Sequence, residues 1–337
     1  MEWTMTEILH ERVLRLDCIS HAKMKSLDPR HTLVVATLSP LEVHGPHLPL
    51  GQDMFEAYAI AEQAMTRIAG LEPTWTIVLL PPVPVAADCV PQLGSVNFPV
   101  EIVRNVAYHL LEPFAKKGFS RLAYSSFHGG PRHICALEDA AEALSKRYSV
   151  GAACLFSIVL SRLMEGDTFF AGIETIPERQ IDKLKLKQDH HAGMVETSLA
   201  LHLWPQFVED GWQTLPGSVA VENVTEEAND SFLYGYQDRP SLWTRTKRTA
   251  SQAASMYRSV KHFNVHTYFG YPAMASAAQG EALFEHLLNI TVEAVQEFLA
   301  KGTEMNVHSP LWKGRRLLLS PMVNKVANDW LKIYVEE

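Results

Sequence analysis

The sequence has no basic excess: 30 Lys and Arg stand against 38 Asp and Glu, a formal charge of −8. Without a basic footprint, nucleic acid is not an expected partner. No apolar run approaches the roughly 20 residues that a membrane-crossing helix needs, so no membrane partner is expected either. The opening stretch, MEWTMTEILHERVL, is acidic and lacks a basic segment followed by an apolar one. No secretory leader is therefore expected. Cysteine is sparse: Cys18, Cys89, Cys135 and Cys154 lie far apart, with no C-x-x-C pair. That spacing speaks against a zinc cluster of thiolates and an obvious disulfide framework, and buried free thiols in a reducing cytoplasm are the simplest account. No repeat, low-complexity tract or clear linker interrupts the 337 residues. One domain is expected, with residues 1–30 as a polar lead-in and 303–337 as a helical tail.

What remains is an ordinary globular composition, 47% hydrophobic and 20% charged, with 15 histidines, several of them after predicted strands. Short β-branched or apolar runs at Thr32–Leu38, Thr76–Leu80, Arg121–Ser125 and within Val150–Leu160 read as buried strands. Helical periodicity fills Asp53–Ile68, with Asp53 placed to cap it, then Val100–Lys117, Ile134–Tyr148, Gly193–Leu203 and Met274–Leu299. Residues 167–187 read as a loop, and 205–265, poorly periodic, as excursions at the sheet edge. The alternation of strand and helix predicts an α/β fold: a three-layer α/β/α sandwich around a mostly parallel sheet. Ligands of such sheets sit at the carboxyl ends of the strands.

The segment SPLEVHGPHLPLGQD, Ser39–Asp53, leaves the first strand at that edge. Glycine and proline make it a stiff, irregular loop, and it carries Glu42, His44, His47 and Asp53. Carboxylate and imidazole together suit zinc, manganese and similar divalent ions. Glu42 and His44, two apart, point the same way in extended chain. Taken alone, a polar surface loop accounts for the pattern as well. Two further segments carry chemistry. FHGGPRH places His128 directly after a strand, although H-G-G on its own is also an ordinary turn. DHHAGMVETS sets His191 ahead of a helix whose first turn holds Glu196, where an acid also complements the helix dipole.

Together these segments resemble the creatininase (creatinine amidohydrolase) family. Glu42, His44, Gly45, Pro46, His47, Leu48, Pro49, Leu50 and Asp53 match its first signature, and His128–Gly130 its H-G-G. Asp189, His191, Ala192, Gly193, Glu196, Thr197 and Ser198 match D-x-H-A-G-x-x-E-T-S, and Gly270, Pro272, Ala275 and Gly280 follow a further family-like pattern. The resemblance implies a hydrolase with two divalent ions, zinc or manganese, with iron or magnesium also compatible with the ligands. Glu42, Asp53 and His128 would hold one ion and His44, Asp53 and Glu196 the other, with His191 moving protons. In creatininase an acid stands two positions after the third-loop histidine; Gly130 occupies that place here, which is why Glu196 is assigned. The substrate would be a small molecule cleaved at a C–N amide bond, linear or cyclic. Homo-oligomers, commonly hexamers, are the family's habit, and the tail is expected against a neighbouring subunit.

The third loop lacks the family's two asparagines, having Ser126, Phe127 and Pro131 around the histidine and glycines. An altered pocket is expected, with Phe127, Gly129, Gly130, Arg132 and Ser95 towards the substrate: Phe127 stacking on a planar group and Arg132 meeting a carboxylate. Two other readings stay open: a non-catalytic metal-bound scaffold or ligand-binding protein of the same fold, and a single-ion hydrolase or lyase using His44, Asp53 and His128.

Overall fold

The computed structural model describes residues 10–164, 185, 188–219, 261–262, 265–305 and 307–329. Residues 167–184 of the expected loop, most of 205–265 and the end of the tail lie outside these. Five parallel strands form one sheet in the order β1-β3-β2-β4-β5: β1 Val13–Arg15, β2 Thr32–Thr37, β3 Thr76–Leu79, β4 Arg121–Ser125 and β5 Gly151–Cys154. The edge strand β1 and the short helix α1 (His21–Lys25) fall inside what reads as a lead-in. Three residues are too few to show a period in sequence, and Val13–Arg15 is held by pairing with Ile77–Leu79.

Alternation along the strands builds two cores. In β2, Leu33 and Val35 enter one cluster while Val34 and Ala36 enter the other, and β3 and β4 divide likewise. The first face is covered by α2 (Gln52–Leu71), α5 (Leu155–Met164), α6 (Met194–Leu203) and α7 (Ala277–Lys301). The second is covered by α3 (Val100–Lys116) and α4 (Pro131–Tyr148). A sheet covered on both faces needs strands apolar throughout, and all six residues of β2 are buried. The three-layer α/β/α sandwich is therefore as expected, and its parallel strands open their carboxyl ends to one rim.

Three helix starts differ from the sequence reading: α4 begins at Pro131 instead of Ile134, because a proline at the first helical position loses no hydrogen bond. Gly51, not Asp53, caps α2; Asp53 lies in the first turn with its carboxylate turned to histidines instead of to the backbone. The helix α7 begins three residues later than expected because the Ser276 side chain accepts from Gln279 N–H, a strong start signal. No helix among the described residues is long and apolar enough to cross a membrane.

The described tail, with α8 (Arg315–Leu318) and α9 (Pro321–Asp329), lies on this chain's own α4 region. Ser309 donates from both its backbone N–H and its hydroxyl to the buried Glu138. Burial pushes the Glu138 carboxyl up to about 7, against the pull of Ser309. A carboxyl raised in the fold contributes stability below its unfolded value near 4.5, and that contribution is lost as pH rises through about 7. The shift corresponds to about 3 kcal/mol. Denaturant melts should therefore show wild type losing roughly that much relative to Glu138→Gln between pH 4.5 and 8. Parallel pH curves for the two proteins would contradict this.

Candidate metal centre

Three loops meet at the carboxyl rim. The segment after β2 carries Glu42 and His44 and ends in α2 with Asp53; the segment after β4 carries His128; the turn before α6 brings His191 and Glu196. The first loop is pinned from several sides. Glu42 N–H donates to Leu50 C=O at 2.8 Å, Gly45 N–H to Thr267 C=O at 2.7 Å, and Val43 N–H to Ser95 Oγ at 3.0 Å. Gly45 has φ +66, and a Cβ there would stand 2.7 Å from His47 Nδ1, so glycine is required. Ser39 Oγ, Ser126 Oγ and His133 Nε2 form a chain with 3.1 Å steps, and Phe127 N–H donates to Ser39 Oγ, which fixes the third loop against the first.

At the centre stands Asp53, buried, with one oxygen on each of two imidazoles. Oδ1 is 2.8 Å from His44 Nε2 and Oδ2 is 2.9 Å from His128 Nδ1. The far nitrogen of each ring is committed. His44 Nδ1 donates to the Glu42 carbonyl at 3.0 Å, and His128 Nε2 to the Ala87 carbonyl at 2.9 Å. A carbonyl only accepts, so both rings carry their proton on the outer nitrogen. Each inner nitrogen faces a carboxylate, so either a second proton or a metal cation must lie between the two. Glu42 Oε2 stands 3.1 Å from His128 Nδ1, and Glu196 Oε2 stands 3.7 Å from His44 Nε2. Glu42 Oε1 accepts Val90 N–H, whereas Oε2 is buried with no well-aligned hydrogen bond, His128 Nδ1 being the polar group that faces it. A buried carboxylate oxygen without a good hydrogen bond is costly unless a cation, imidazolium or metal, meets it. The donor set thus fits hard to borderline divalent cations.

Among the described residues, ligand-capable atoms fall within 4.8 Å of one another in three groups: Glu42, Asp53 and His128; His44, Asp53 and Glu196; and Glu42, His44 and His191. The first two are the sets expected from sequence, and Asp53 belongs to both. When no metal occupies the cluster, protons take the place of cations. Burial alone would push His44 down, but Asp53 and Glu196 outweigh it and hold the imidazole up to about 10. His128 is likewise raised, against burial, by Glu42 and Asp53. Burial would raise Asp53, but the two imidazoles hold it well below the usual carboxylate range. Glu196 is pushed up to about 7, mainly by burial.

His191 lies over His44 with ring centroids 4.2 Å apart, and its Nε2 donates to the Val43 carbonyl at 2.8 Å. Burial, with His44 beside it, lowers it to about 4, so it is neutral at pH 7. Glu196 accepts the N–H of Ala192, whose φ of 49° lies in the left-handed region that non-glycine residues seldom adopt.

The five residues expected towards the substrate are placed differently from one another. Gly129 is exposed, with open space where a Cβ would stand. At Gly130 a Cβ would come within 2.5 Å of His128 Nε2 and 2.7 Å of Ala87 O, so no acid fits there, consistent with the acid coming from Glu196. Phe127 packs against the core and Phe156, its ring centroid 5.7 Å from that neighbour. Arg132, instead of waiting for a substrate carboxylate, is buried and bound by Asp88, with Nη1 on Asn324 at 3.2 Å. A buried guanidinium requires such a counter-charge. Ser95 is occupied in holding Val43.

Sequence reasoning assigned no role to Asp189, which anchors α6. Its Oδ1 accepts from Met194 N at 2.7 Å and Tyr271 N at 3.1 Å, and Oδ2 from Val195 N at 2.8 Å. The signal was its place just ahead of a helix capped by a glycine, which offers no side chain of its own.

A doubly covered parallel sheet with carboxylates and imidazoles converging at its carboxyl rim defines an α/β protein with a candidate divalent-metal centre. The family description Creatininase (creatinine amidohydrolase) matches residues 19–295. This chain belongs to the creatininase family. Solved structures agree on the fold. A Bacteroides fragilis protein assigned as a creatinine amidohydrolase aligns with TM-score 0.57 at 17% identity, covering 89% of this chain and 100% of that one. A creatinine amidohydrolase (creatininase) gives 0.56 at 15%, covering 85% and 98%. A mutant creatininase complexed with creatine gives 0.56 at 14%, covering 85% and 98%. Other creatininase structures are described as Mn and Zn-Zn types. No curated protein matches the sequence.

Proposed function

We propose that this protein is a metal-dependent amidohydrolase that cleaves a C–N amide bond of a small molecule with two divalent ions. The observation that carries the reading is Asp53, one carboxylate whose two oxygens each face a different inward-aimed imidazole nitrogen. Glu42, Asp53 and His128 would hold one ion, and His44, Asp53 and Glu196 the other. Zinc and manganese both suit mixed oxygen and nitrogen donors, and relatives of the same fold are described with both. Such a pair supplies Lewis acidity at the amide carbonyl and an activated water, which helps because amides are poor electrophiles.

The chain's own residues supply the rest. His191, neutral and fixed in one tautomer by Val43 C=O, is in the form that accepts a proton, and it would return that proton to the departing nitrogen. Gly129 leaves main chain clear for the substrate to lie against. Phe127, Arg132 and Ser95 support the loops from behind.

The test begins with protein loaded with manganese or zinc and screened on linear and cyclic amides, creatinine and formamidopyrimidines included. On any amide turned over, His191→Ala should cut kcat by about 10²–10⁴-fold while metal content stays at the wild-type level. Undiminished turnover in that variant would remove His191 from the chemistry, and a protein that holds ions but turns over no amide would favour a scaffold.

A further inference from the structure

Gln52 precedes Asp53 and is fully buried. A buried primary amide is costly unless its hydrogen bonds are met, and the partners of Gln52 join two helices. Its Oε1 accepts from Trp204 Nε1 at 3.0 Å. Its Nε2 donates to Glu56 Oε1 at 2.9 Å and to the Glu196 carbonyl at 3.3 Å. Glu196 lies in the first turn of α6 and Trp204 is its C-cap, so one side chain from α2 grips a ten-residue helix at both ends. Only glutamine offers one acceptor and two donors at this reach. Glutamate would set an acceptor against Glu56 and against the Glu196 carbonyl; leucine would strand the Trp204 N–H. Glu56, also fully buried and one turn beyond Asp53, completes the arrangement, and its second oxygen has no hydrogen-bond partner.

We infer that Gln52 is a positioning residue: braced by Glu56 and Trp204, it sets the distance of Glu196 from Asp53 and thereby the strength with which the ion shared by His44, Asp53 and Glu196 is held. This rests on the two-ion reading above. Gln52 touches α6 through backbone and indole groups and none of the Glu42–His128 side, so its influence falls on one ion.

Calorimetric titration of Mn²⁺ into metal-stripped full-length protein tests this. Gln52→Leu should weaken one ion by about 10–100-fold, as loss of outer hydrogen-bonding partners does at metal sites, and leave the other within about threefold. Trp204→Phe, which keeps the aromatic packing and removes one N–H, should weaken the same ion by less, and covers the case that Gln52→Leu does not fold. Glu56→Gln keeps an acceptor for the Gln52 amide and should stay near wild type. Equal loss at both ions in Gln52→Leu and Trp204→Phe, or loss at neither, overturns the inference. A wild-type protein that takes one ion contradicts the two-ion reading instead. The clamp is then judged on that ion: weakening in both Gln52→Leu and Glu196→Gln supports it, and weakening in Glu196→Gln alone overturns it.

Discussion

Asp53→Ala should leave the protein unable to hold either ion, and with them all turnover. The expectation follows from one side chain serving two sets of ligands: Oδ1 lies 2.8 Å from His44 Nε2 and Oδ2 2.9 Å from His128 Nδ1. Removing one partner of a buried charge pair costs about 3–5 kcal/mol. Near 4 kcal/mol that is on the order of a thousandfold in affinity, and here it falls on both ions at once. Glu42→Ala and Glu196→Ala should by contrast each weaken one ion, since each belongs to only one of the two sets that contain Asp53. Metal analysis after dialysis reads this directly. Full retention in Asp53→Ala would show that the cluster is not the metal centre.

Asp189→Ala should destabilise the fold by about 3–5 kcal/mol, because three backbone N–H groups of Met194, Val195 and Tyr271 lose one half-buried carboxylate. The site is shaped around this side chain. A Cβ on Gly193 or Gly270 would overlap Asp189 Oδ1. Gly193→Ala should accordingly do harm comparable to the loss of Asp189, although alanine ordinarily favours helix more than glycine does. Since α6 carries Glu196, the damage should also appear as weaker binding of one ion. Chemical denaturation of the metal-free proteins isolates the stability effect. A loss below about 1 kcal/mol for Asp189→Ala would show that α6 is held by its packing alone.

The sheet was legible because β2, β3 and β4 are short apolar runs broken by proline, glycine or charge, a local signal. The candidate cluster was legible for a related reason: Glu42, His44, Asp53, His128 and Glu196 each sit in a compact motif where a strand ends or a helix begins, and the fold brings them together. What local pattern could not show were partnerships formed across the fold. Arg132 reads as an available cation until the loop after β3 brings Asp88 to it. Gln52 falls in the Ser39–Asp53 loop in sequence with nothing to single it out, and only folding brings Trp204 to its amide. Asp53 reads as a cap because an acid before a helix usually is one; two histidines compete for the carboxylate and win. The strand β1 depends on its neighbour and not on its own three residues.

The most direct measurement is an anomalous-difference map from crystals grown with manganese or zinc. Two peaks are expected on either side of Asp53, one within reach of Glu42 and His128, the other of His44 and Glu196. A single peak, or ions bound away from Asp53, would contradict the account.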